Sequence, residues 1–316
     1  MSMFLTPSYP NAKQCPACDS GNTDAELALY DWAYTREGPF AYSRCNDCGA
    51  LYATEELSPA ALERYYPRHY AAYVDDAAFG LIRGTAHRVG MAKRCRTIEQ
   101  LCQGGRLLDI GCGAGAFLRA MQARGPWNVI GLERDQKAVK LARDSGLDVH
   151  WGDIATSNLA GAFDVITLWD VIEHLERPRD ILRRIAGWLA VDGWLILRTP
   201  DAASRQARWF GARWAGYDPP RHRVIYSFGA LEILARRCGL ALWQVPGPQG
   251  SSALASLSMR NLALAHEWPH WLAESQIHPL VQIAWWPACA FWDAIEGGAE
   301  LVVAAKRLGT TNHPYG

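Results

Sequence analysis

The chain of 316 residues is long enough for one large domain with an accessory module, or for two modest domains. Its formal net charge is zero, which excludes a global attraction to nucleic acid or anionic lipid. Residues 1–10 contain neither a basic region nor a sustained apolar run, so we expect no secretory signal and a cytoplasmic location. Nine cysteines in that compartment indicate metal ligands or buried thiols before disulfides.

Four cysteines form two C-x-x-C pairs, Cys15 with Cys18 and Cys45 with Cys48. The two-residue spacer lets both thiolates of a pair face one ion, which suits tetrahedral zinc. The intervening loop of about 26 residues contains strand-like pieces. We therefore predict a zinc ribbon over residues 1–55. No fifth Cys or His stands close enough to complete a catalytic centre, so the ion is expected to be structural.

Residues 56–104 are predicted to be a helical linker. Ser58-Pro59 is a helix start, and a second helix is expected at about 82–101. Between them, residues 65–73 contain four tyrosines beside a proline. This aromatic run indicates either a lid over a cleft or packing between the ribbon and the rest of the chain, and the sequence leaves both open.

The stretch Arg106–Leu118 organises the remainder of the chain. A short apolar run meets three glycines at alternate positions, Gly111, Gly113 and Gly115, and a helix-compatible segment follows. Glycine is required in such a turn because a Cβ would block both positive φ angles and the close approach of backbone N–H groups to a ligand. The turn is therefore a candidate nucleotide site.

Asp109 separates the two ligand classes that use such a turn. The glycines alone also fit the dinucleotide pattern G-x-G-x-x-G/A, which would indicate an NAD-dependent oxidoreductase. A carboxylate before the first glycine repels a pyrophosphate but attracts the cationic end of S-adenosylmethionine (SAM). The run Asp109–Gly115 resembles the signature of class I SAM-dependent methyltransferases. The resemblance implies that Asp109, Cys112 and the three glycines contact SAM.

From residue 105 onward, strands and helices alternate regularly, which predicts a Rossmann-like α/β domain over residues 105–316. The resemblance implies seven strands, the last antiparallel and expected at residues 300–306. Glu133 ends the second strand about 20 residues after the glycines, a spacing that suits hydrogen bonds from both ribose hydroxyls. By the same resemblance, Asp153 faces the adenine amino group and Ile154 packs against the ring.

The segment Asp170–Pro178 is similar to one in the ubiquinone-biosynthesis O-methyltransferases. Its place after the fourth strand puts it at the ligand crevice, so Trp169 and Asp170 are expected beside the cofactor. An oxygen or carbon acceptor must lose a proton, and a histidine can take it. We expect His222 or His174 to act as this base; the alternative is that the reaction uses no side-chain base. Relatives carry Leu where this chain has Arg223, so the acceptor is left open.

The expected acceptor is a small molecule: a sugar, a glycolipid precursor or a secondary-metabolite intermediate. Sugar C-methyltransferases carry a similar cysteine unit in front of the SAM fold. A zinc-ribbon RNA methyltransferase is the minor alternative, because residues 1–55 lack interleaved basic and aromatic side chains. A non-catalytic SAM-binding protein is another. A Trp-rich insertion is predicted at about 246–298. Its apolar run is too short to span a bilayer, so we expect the insertion to form a core helix pair, a pocket wall or an interfacial helix.

Overall fold

A computed structural model describes residues 14–24, 27–66, 81–246, 251–268, 278–296 and 298–309. Most of the predicted tyrosine-rich lid, residues 67–73, lies outside this part of the chain, as does Trp271. The described strands are β1 (Leu27–Leu29), β2 (Phe40–Arg44), β3 (Leu51–Ala53), β4 (Gly105–Ile110), β5 (Trp127–Glu133), β6 (Asp148–Trp151), β7 (Phe163–Trp169), β8 (Leu189–Pro200), β9 (Val224–Ile225), β10 (Leu240–Gln244) and β11 (Glu300–Arg307).

Helices connect these strands and cover the larger sheet. The described α-helices are α1 (Pro59–Glu63), α2 (Leu81–Glu99), α3 (Ala116–Gln122), α4 (Gln136–Asp144), α5 (Pro178–Trp188), α6 (Arg205–Phe210), α7 (Phe228–Arg237), α8 (Ser251–Ala265) and α9 (His278–Glu296). The predicted caps are confirmed: the Ser58 side chain accepts from the backbone of Ala61, and Ser227 accepts from Ala230.

The central sheet of the described chain has seven strands in the order β10-β11-β8-β7-β4-β5-β6. Strands β4 to β8 run parallel, and β11 is antiparallel to both of its neighbours. The predicted Rossmann-like α/β fold with an antiparallel last strand is therefore confirmed. Strand order reverses between β4 and β7, so their carboxyl ends open the crevice where ligands bind in such sheets.

The pattern of buried side chains accounts for these strands and helices. The parallel strand β7 is almost wholly buried, as expected for a sheet covered by helices on both faces. Helix α5 buries one face through Ile181, Leu182 and Ile185, which recur at helical spacing. Between β8 and β9 the chain forms helix α6, which begins after Ser204, whose side chain caps it by accepting from the backbone of Ala207.

The N-terminal segment that carries the four paired cysteines, the described part of residues 1–55, is called the cysteine module or N-terminal module. It is joined to the α/β domain by a shared sheet. Strands β1, β2 and β3 form a small antiparallel sheet whose fourth strand is β9, contributed by the α/β part of the chain. Leu51 pairs with Ile225 and Tyr52 with Val224. The Ser227 hydroxyl, at the start of α7, donates to the carbonyl of Cys48 at 2.7 Å. The N-terminal module is thereby held in a fixed position above the crevice.

The Trp-rich insertion consists, in its described parts, of helices α8 and α9. Helix α9 continues through Pro287, and its side chains at Leu280, Ile283, Trp286 and Phe291 are exposed. Helix α8 buries small and polar side chains, among them Ser258, whose hydroxyl accepts from the backbone of Ala215. Within the described residues, we find no helix that meets the length and hydropathy needed to cross a bilayer.

Candidate functional site

The four predicted zinc ligands come together in one cluster. Cys15 Sγ lies 3.5 Å from Cys48 Sγ, and Cys18 Sγ lies 3.4 Å from Cys45 Sγ. All four sulfur atoms lie within 4.8 Å of one another. Tetrahedral zinc with Zn–S bonds of about 2.3 Å requires sulfur atoms about 3.8 Å apart. The sulfur positions fit an ion held by four thiolates, and no coordination position is left for a substrate.

The glycine turn between β4 and α3 adopts the backbone that its sequence predicts. Gly111, Gly113 and Gly115 have φ angles of 71°, 53° and 81°, in the left-handed region. A Cβ on Gly111 would lie 2.7 Å from a methyl group of Val171. Only glycine therefore fits here, and the turn stays open toward the cavity. Cys112, between the first two glycines, also lines the cavity, but its buried thiol lies near Gly131 of β5.

Glu133 braces this turn from the end of β5. One carboxylate oxygen accepts the backbone N–H of Gly113 at 2.9 Å, and the other accepts those of Arg134 and Asp135 at 2.8 and 2.9 Å. Each carboxylate oxygen can accept more than one hydrogen bond, so acceptor capacity remains for hydroxyl groups. Glu133 is buried, with 6% of its surface exposed, and lines the cavity.

Asp109 lies at the floor of the same cavity and is 3% exposed. Its Oδ1 accepts from the hydroxyl of Thr167 on the neighbouring strand at 2.7 Å. Burial raises the pKa of Asp109 to about 7, and the hydrogen bond from Thr167 opposes that rise. The carboxylate is thus costly to ionise in the unliganded protein and is suited to a cationic ligand.

Asp153 and Ile154 lie on the cavity wall after β6, as predicted. Asp153 is exposed, and its Oδ1 accepts the backbone N–H of Ala155 at 2.7 Å. Ile154 is 8% exposed and belongs to the main apolar core. A carboxylate that reaches solvent beside a buried aliphatic side chain can face the amino edge and the ring of a purine, respectively.

Trp169 and Asp170 lie at the carboxyl end of β7 and line the cavity, but Asp170 has other partners. Its Oδ1 accepts from Nε of Arg198 at 2.8 Å, and its Oδ2 accepts from Arg94 at 3.2 Å and from Arg198. Burial alone would raise the pKa of Asp170, but the two arginines outweigh it and hold that pKa below its ordinary value. The Arg94 guanidinium also lies 5.0 Å from the ring centre of Trp169.

The two predicted histidines are neighbours in the wall of the cavity. Their ring centres lie 4.6 Å apart. His174 Nδ1 lies 3.0 Å from the carbonyl of Arg221, and His222 Nδ1 lies 2.9 Å from the carbonyl of Gly216. A carbonyl only accepts, so each Nδ1 carries the proton and each Nε2 has a free lone pair. Burial lowers the pKa of His174 to about 3 and also lowers that of His222.

Glu173 lies behind this pair and was not singled out from the sequence. Its side chain is fully buried; Oε2 accepts from Thr199 at 3.0 Å, whereas Oε1 has no hydrogen-bond partner among the described residues. His222 Nε2 lies 4.0 Å from Oε1. Glu173, His174 and His222 each offer one ligand atom, all within 4.8 Å of one another. This group has the donor set of a divalent cation site.

One cavity of about 820 Å³ connects these features. Its lining includes the glycine turn, Asp109, Glu133, His174 and His222. The volume lies in the range of pockets that enclose a whole ligand. The loop between β1 and β2 closes the cavity with Trp32 and Tyr34, and helix α8 adds further wall. The cysteine module is therefore part of the enclosure.

Comparison with known proteins agrees with this geometry. The family model described as a methyltransferase domain matches residues 85–245. This chain belongs to the methyltransferase family. It is similar to the ubiquinone biosynthesis O-methyltransferase of Chromobacterium violaceum, with 31% identity over 161 residues, which cover 46% of this chain and 68% of that protein. It is also similar to the Bordetella avium protein of the same name, with 32% identity over 117 residues.

That second match covers 34% of this chain and 48% of the Bordetella protein, so the chain spans about half the length of this curated relative. Among solved structures, a SAM-dependent methyltransferase from Mesorhizobium loti is 17% identical, with a TM-score of 0.46, covering 69% of this chain and all of that one. A mitomycin 7-O-methyltransferase is 16% identical, with a TM-score of 0.46, covering 75% of this chain and 59% of that chain.

Arg223, which follows the candidate base His222, contacts the N-terminal module. Its guanidinium donates to the carbonyl of Glu55, and its own carbonyl accepts from Ala53 at 2.9 Å. Its backbone N–H donates to the carbonyl of Glu173 at 2.7 Å. The arginine therefore joins the cysteine module to the histidine side of the cavity. Sequence reasoning could not find this partner, because Glu55 lies 168 positions away.

Proposed function

We propose that this chain is a SAM-dependent methyltransferase that transfers the methyl group to an oxygen or carbon atom of a small-molecule acceptor. The observation that carries the proposal is one cavity whose lining combines the buried carboxylates of Asp109 and Glu133 with two histidines whose pKa values are lowered by burial. In-line displacement at a methyl carbon needs donor and acceptor aligned within one enclosure.

We assign the cofactor end to Asp109, Glu133, Asp153 and Ile154, with the glycine turn. The carboxylate of Asp109 would face the positive charge of SAM, and Glu133 would accept from the ribose hydroxyls. The adenine would lie between Asp153 and Ile154. These roles follow the residues' placement along one wall of the cavity. An anionic floor disfavours NAD, whose pyrophosphate would be repelled there.

At the acceptor end, we assign His222 as the general base, with His174 as the second candidate. The lone pair of His222 Nε2 lies beside Glu173 and Asp218, at 4.0 and 3.9 Å from their oxygen atoms. Burial raises the pKa of Glu173 well above its ordinary value, whereas at Asp218 burial is outweighed by Arg221, which holds that pKa below its ordinary value. Asp218 is therefore the anion that can stabilise an imidazolium. His174 is poorer, because its pKa of about 3 leaves it little affinity for a proton at neutral pH. Asp170 is assigned, with Trp169, to the wall beside the cofactor, where its carboxylate also accepts hydrogen bonds from Arg94 and Arg198.

We assign a structural zinc ion to Cys15, Cys18, Cys45 and Cys48, on the fit of their sulfur positions. The ion supplies no chemistry to the methyl transfer. It would hold together the loop before β1 and the loop after β2. The segment between these loops carries Trp32 and Tyr34, so the ion would also support the cavity wall that they form.

Incubation of the protein with methyl-labelled SAM and extract of its own host tests the proposal, with the labelled product identified by mass spectrometry. A labelled sugar, lipid-linked sugar or secondary metabolite would support it and name the acceptor. Labelled lipid would point to the exposed apolar side chains of α9 as an acyl contact. Labelled RNA, or the absence of SAM binding by calorimetry, would overturn the small-molecule assignment.

A further inference from the structure

Arg221 lies between the cysteine module and the α/β domain with none of its surface exposed. Its guanidinium donates to both oxygens of Asp31, at 2.7 and 3.2 Å, and to both oxygens of Asp218, at 2.6 and 2.8 Å. A further N–H donates to the carbonyl of Tyr65 at 2.9 Å. One buried cation therefore holds two carboxylates, and one of them comes from the N-terminal module.

Asp218 carries this constraint to His222. The Asp218 carbonyl accepts the backbone N–H of His222 at 3.1 Å, and its Oδ2 lies 3.9 Å from His222 Nε2. Asp218 has a φ angle of 33°, in the left-handed region, where a residue other than glycine persists only when its surroundings hold it. Because Arg221 engages both Asp218 oxygens, the place of that carboxylate beside the imidazole depends on Arg221.

Asp31 is itself held rigidly by its own loop. Its oxygens accept the backbone N–H groups of Tyr34 and Thr35 at 3.2 and 3.1 Å, and the Thr35 hydroxyl at 2.8 Å. The ring of Tyr34 lies 4.7 Å from the Arg221 guanidinium. The same carboxylate therefore fixes the loop that carries the aromatic cavity wall and the cation that fixes Asp218.

We propose that Asp31 is a positioning residue for His222, and that the cysteine module acts on the acceptor end of the site through Asp31, Arg221 and Asp218. The chain of contacts is continuous, and every link is a hydrogen bond or charge contact to a buried group. The inference rests on the proposed function only in treating His222 as the base. The orientation of its ring is a property of the protein before any acceptor binds.

Asp19 offers a matched control. It also comes from the cysteine module and also bridges to the α/β domain, with its two oxygens 2.6 Å from Arg179 and 2.6 Å from Arg237. These three residues do not line the cavity. Asp19 is half-exposed and Asp31 is buried, so their effects on stability will differ, but if both carboxylates merely dock the module, neither Asp19→Asn nor folded Asp31→Asn should change the His222 ring. If Asp31 positions His222, only Asp31→Asn should affect the histidine.

Long-range proton–nitrogen NMR spectra of protein labelled with 15N-histidine and saturated with S-adenosylhomocysteine test this, with His222 assigned from His222→Gln. Wild type and Asp19→Asn should show a single neutral tautomer protonated at Nδ1, as the contact with Gly216 requires. Asp31→Asn should lose that single tautomer, with the two nitrogen shifts converging. An unchanged His222 spectrum in folded Asp31→Asn overturns the inference. This readout needs no acceptor, so it stands apart from any failure of the proposed function.

Turnover on the acceptor identified in host extract adds a second readout. Asp31→Asn should lower kcat about tenfold with the affinity for SAM unchanged, because misplacing a base slows the chemical step only. Should Asp31→Asn fail to fold, Thr35→Val decides: Thr35 is exposed, and the change removes one hydrogen bond to Asp31 while keeping both charges. We then expect partial tautomer averaging at His222, and a wild-type spectrum would refute the inference.

Discussion

Replacing Asp109 with Asn should stabilise the unliganded protein while weakening SAM binding. The amide oxygen preserves the acceptor for Thr167, so the change removes a charge and little else. Burial raises the pKa of Asp109 from 3.8 to about 7. At about 1.4 kcal/mol per pH unit, keeping this carboxylate ionised costs the folded state about 4 kcal/mol.

The sign of the pH dependence follows from the direction of that pKa. The folded state binds the proton more tightly than the unfolded state does. The stability that the Asp109 proton contributes to the folded state is therefore complete below about pH 4 and is lost as the pH rises through about 7. Asp109→Asn should thus gain about 4 kcal/mol at pH 8 but only about 1.5 kcal/mol at pH 5. The gain at pH 8 corresponds to a rise in Tm of roughly 8 °C.

SAM binding should change in the opposite direction. A unit charge about 4 Å from the carboxylate contributes about 4 kcal/mol at an effective dielectric constant of about 20, or roughly a thousandfold in Kd. Scanning calorimetry at both pH values and titration calorimetry with SAM measure the two effects, and Asp144→Asn, an exposed partner of Lys140, is the control. The reasoning fails if Asp109→Asn melts below wild type at pH 8, or binds SAM with wild-type affinity.

Three further outcomes are expected. Glu133→Ala should weaken SAM binding by about 10²- to 10⁴-fold in titration calorimetry, because the charge-assisted hydrogen bonding to the ribose and the support of Gly113 are both lost, whereas the partly exposed Glu232→Ala should bind normally. Cys45→Ser should lower the metal content from about one zinc per chain to none by elemental analysis; zinc-free wild-type protein would contradict the ribbon. His222→Gln should slow methyl transfer by about 10²- to 10⁴-fold at saturating SAM without changing its Kd, and full activity would exclude His222 as the base.

The amino-acid sequence was sufficient to predict those features of this protein whose chemistry is local. The glycine turn needs positive φ angles that glycine adopts most readily, so Gly111, Gly113 and Gly115 mark the cofactor turn through their spacing alone. Alternating strands and helices predicted the parallel sheet, and the C-x-x-C spacing predicted the sulfur cluster. Each of these patterns arises from residues close together in the chain.

Which distant charges meet is visible only in the folded chain. Asp170 stays a predicted cofactor contact from its place after a strand, and the fold adds Arg198, from the neighbouring strand, as its partner. Glu173 lies within the segment Asp170–Pro178, but its contacts with Thr199 and His222 could not be predicted from that segment. Asp31 and Arg221 are 190 residues apart. A buried charge must find its partner through packing, and packing between remote segments leaves no periodic trace along the chain.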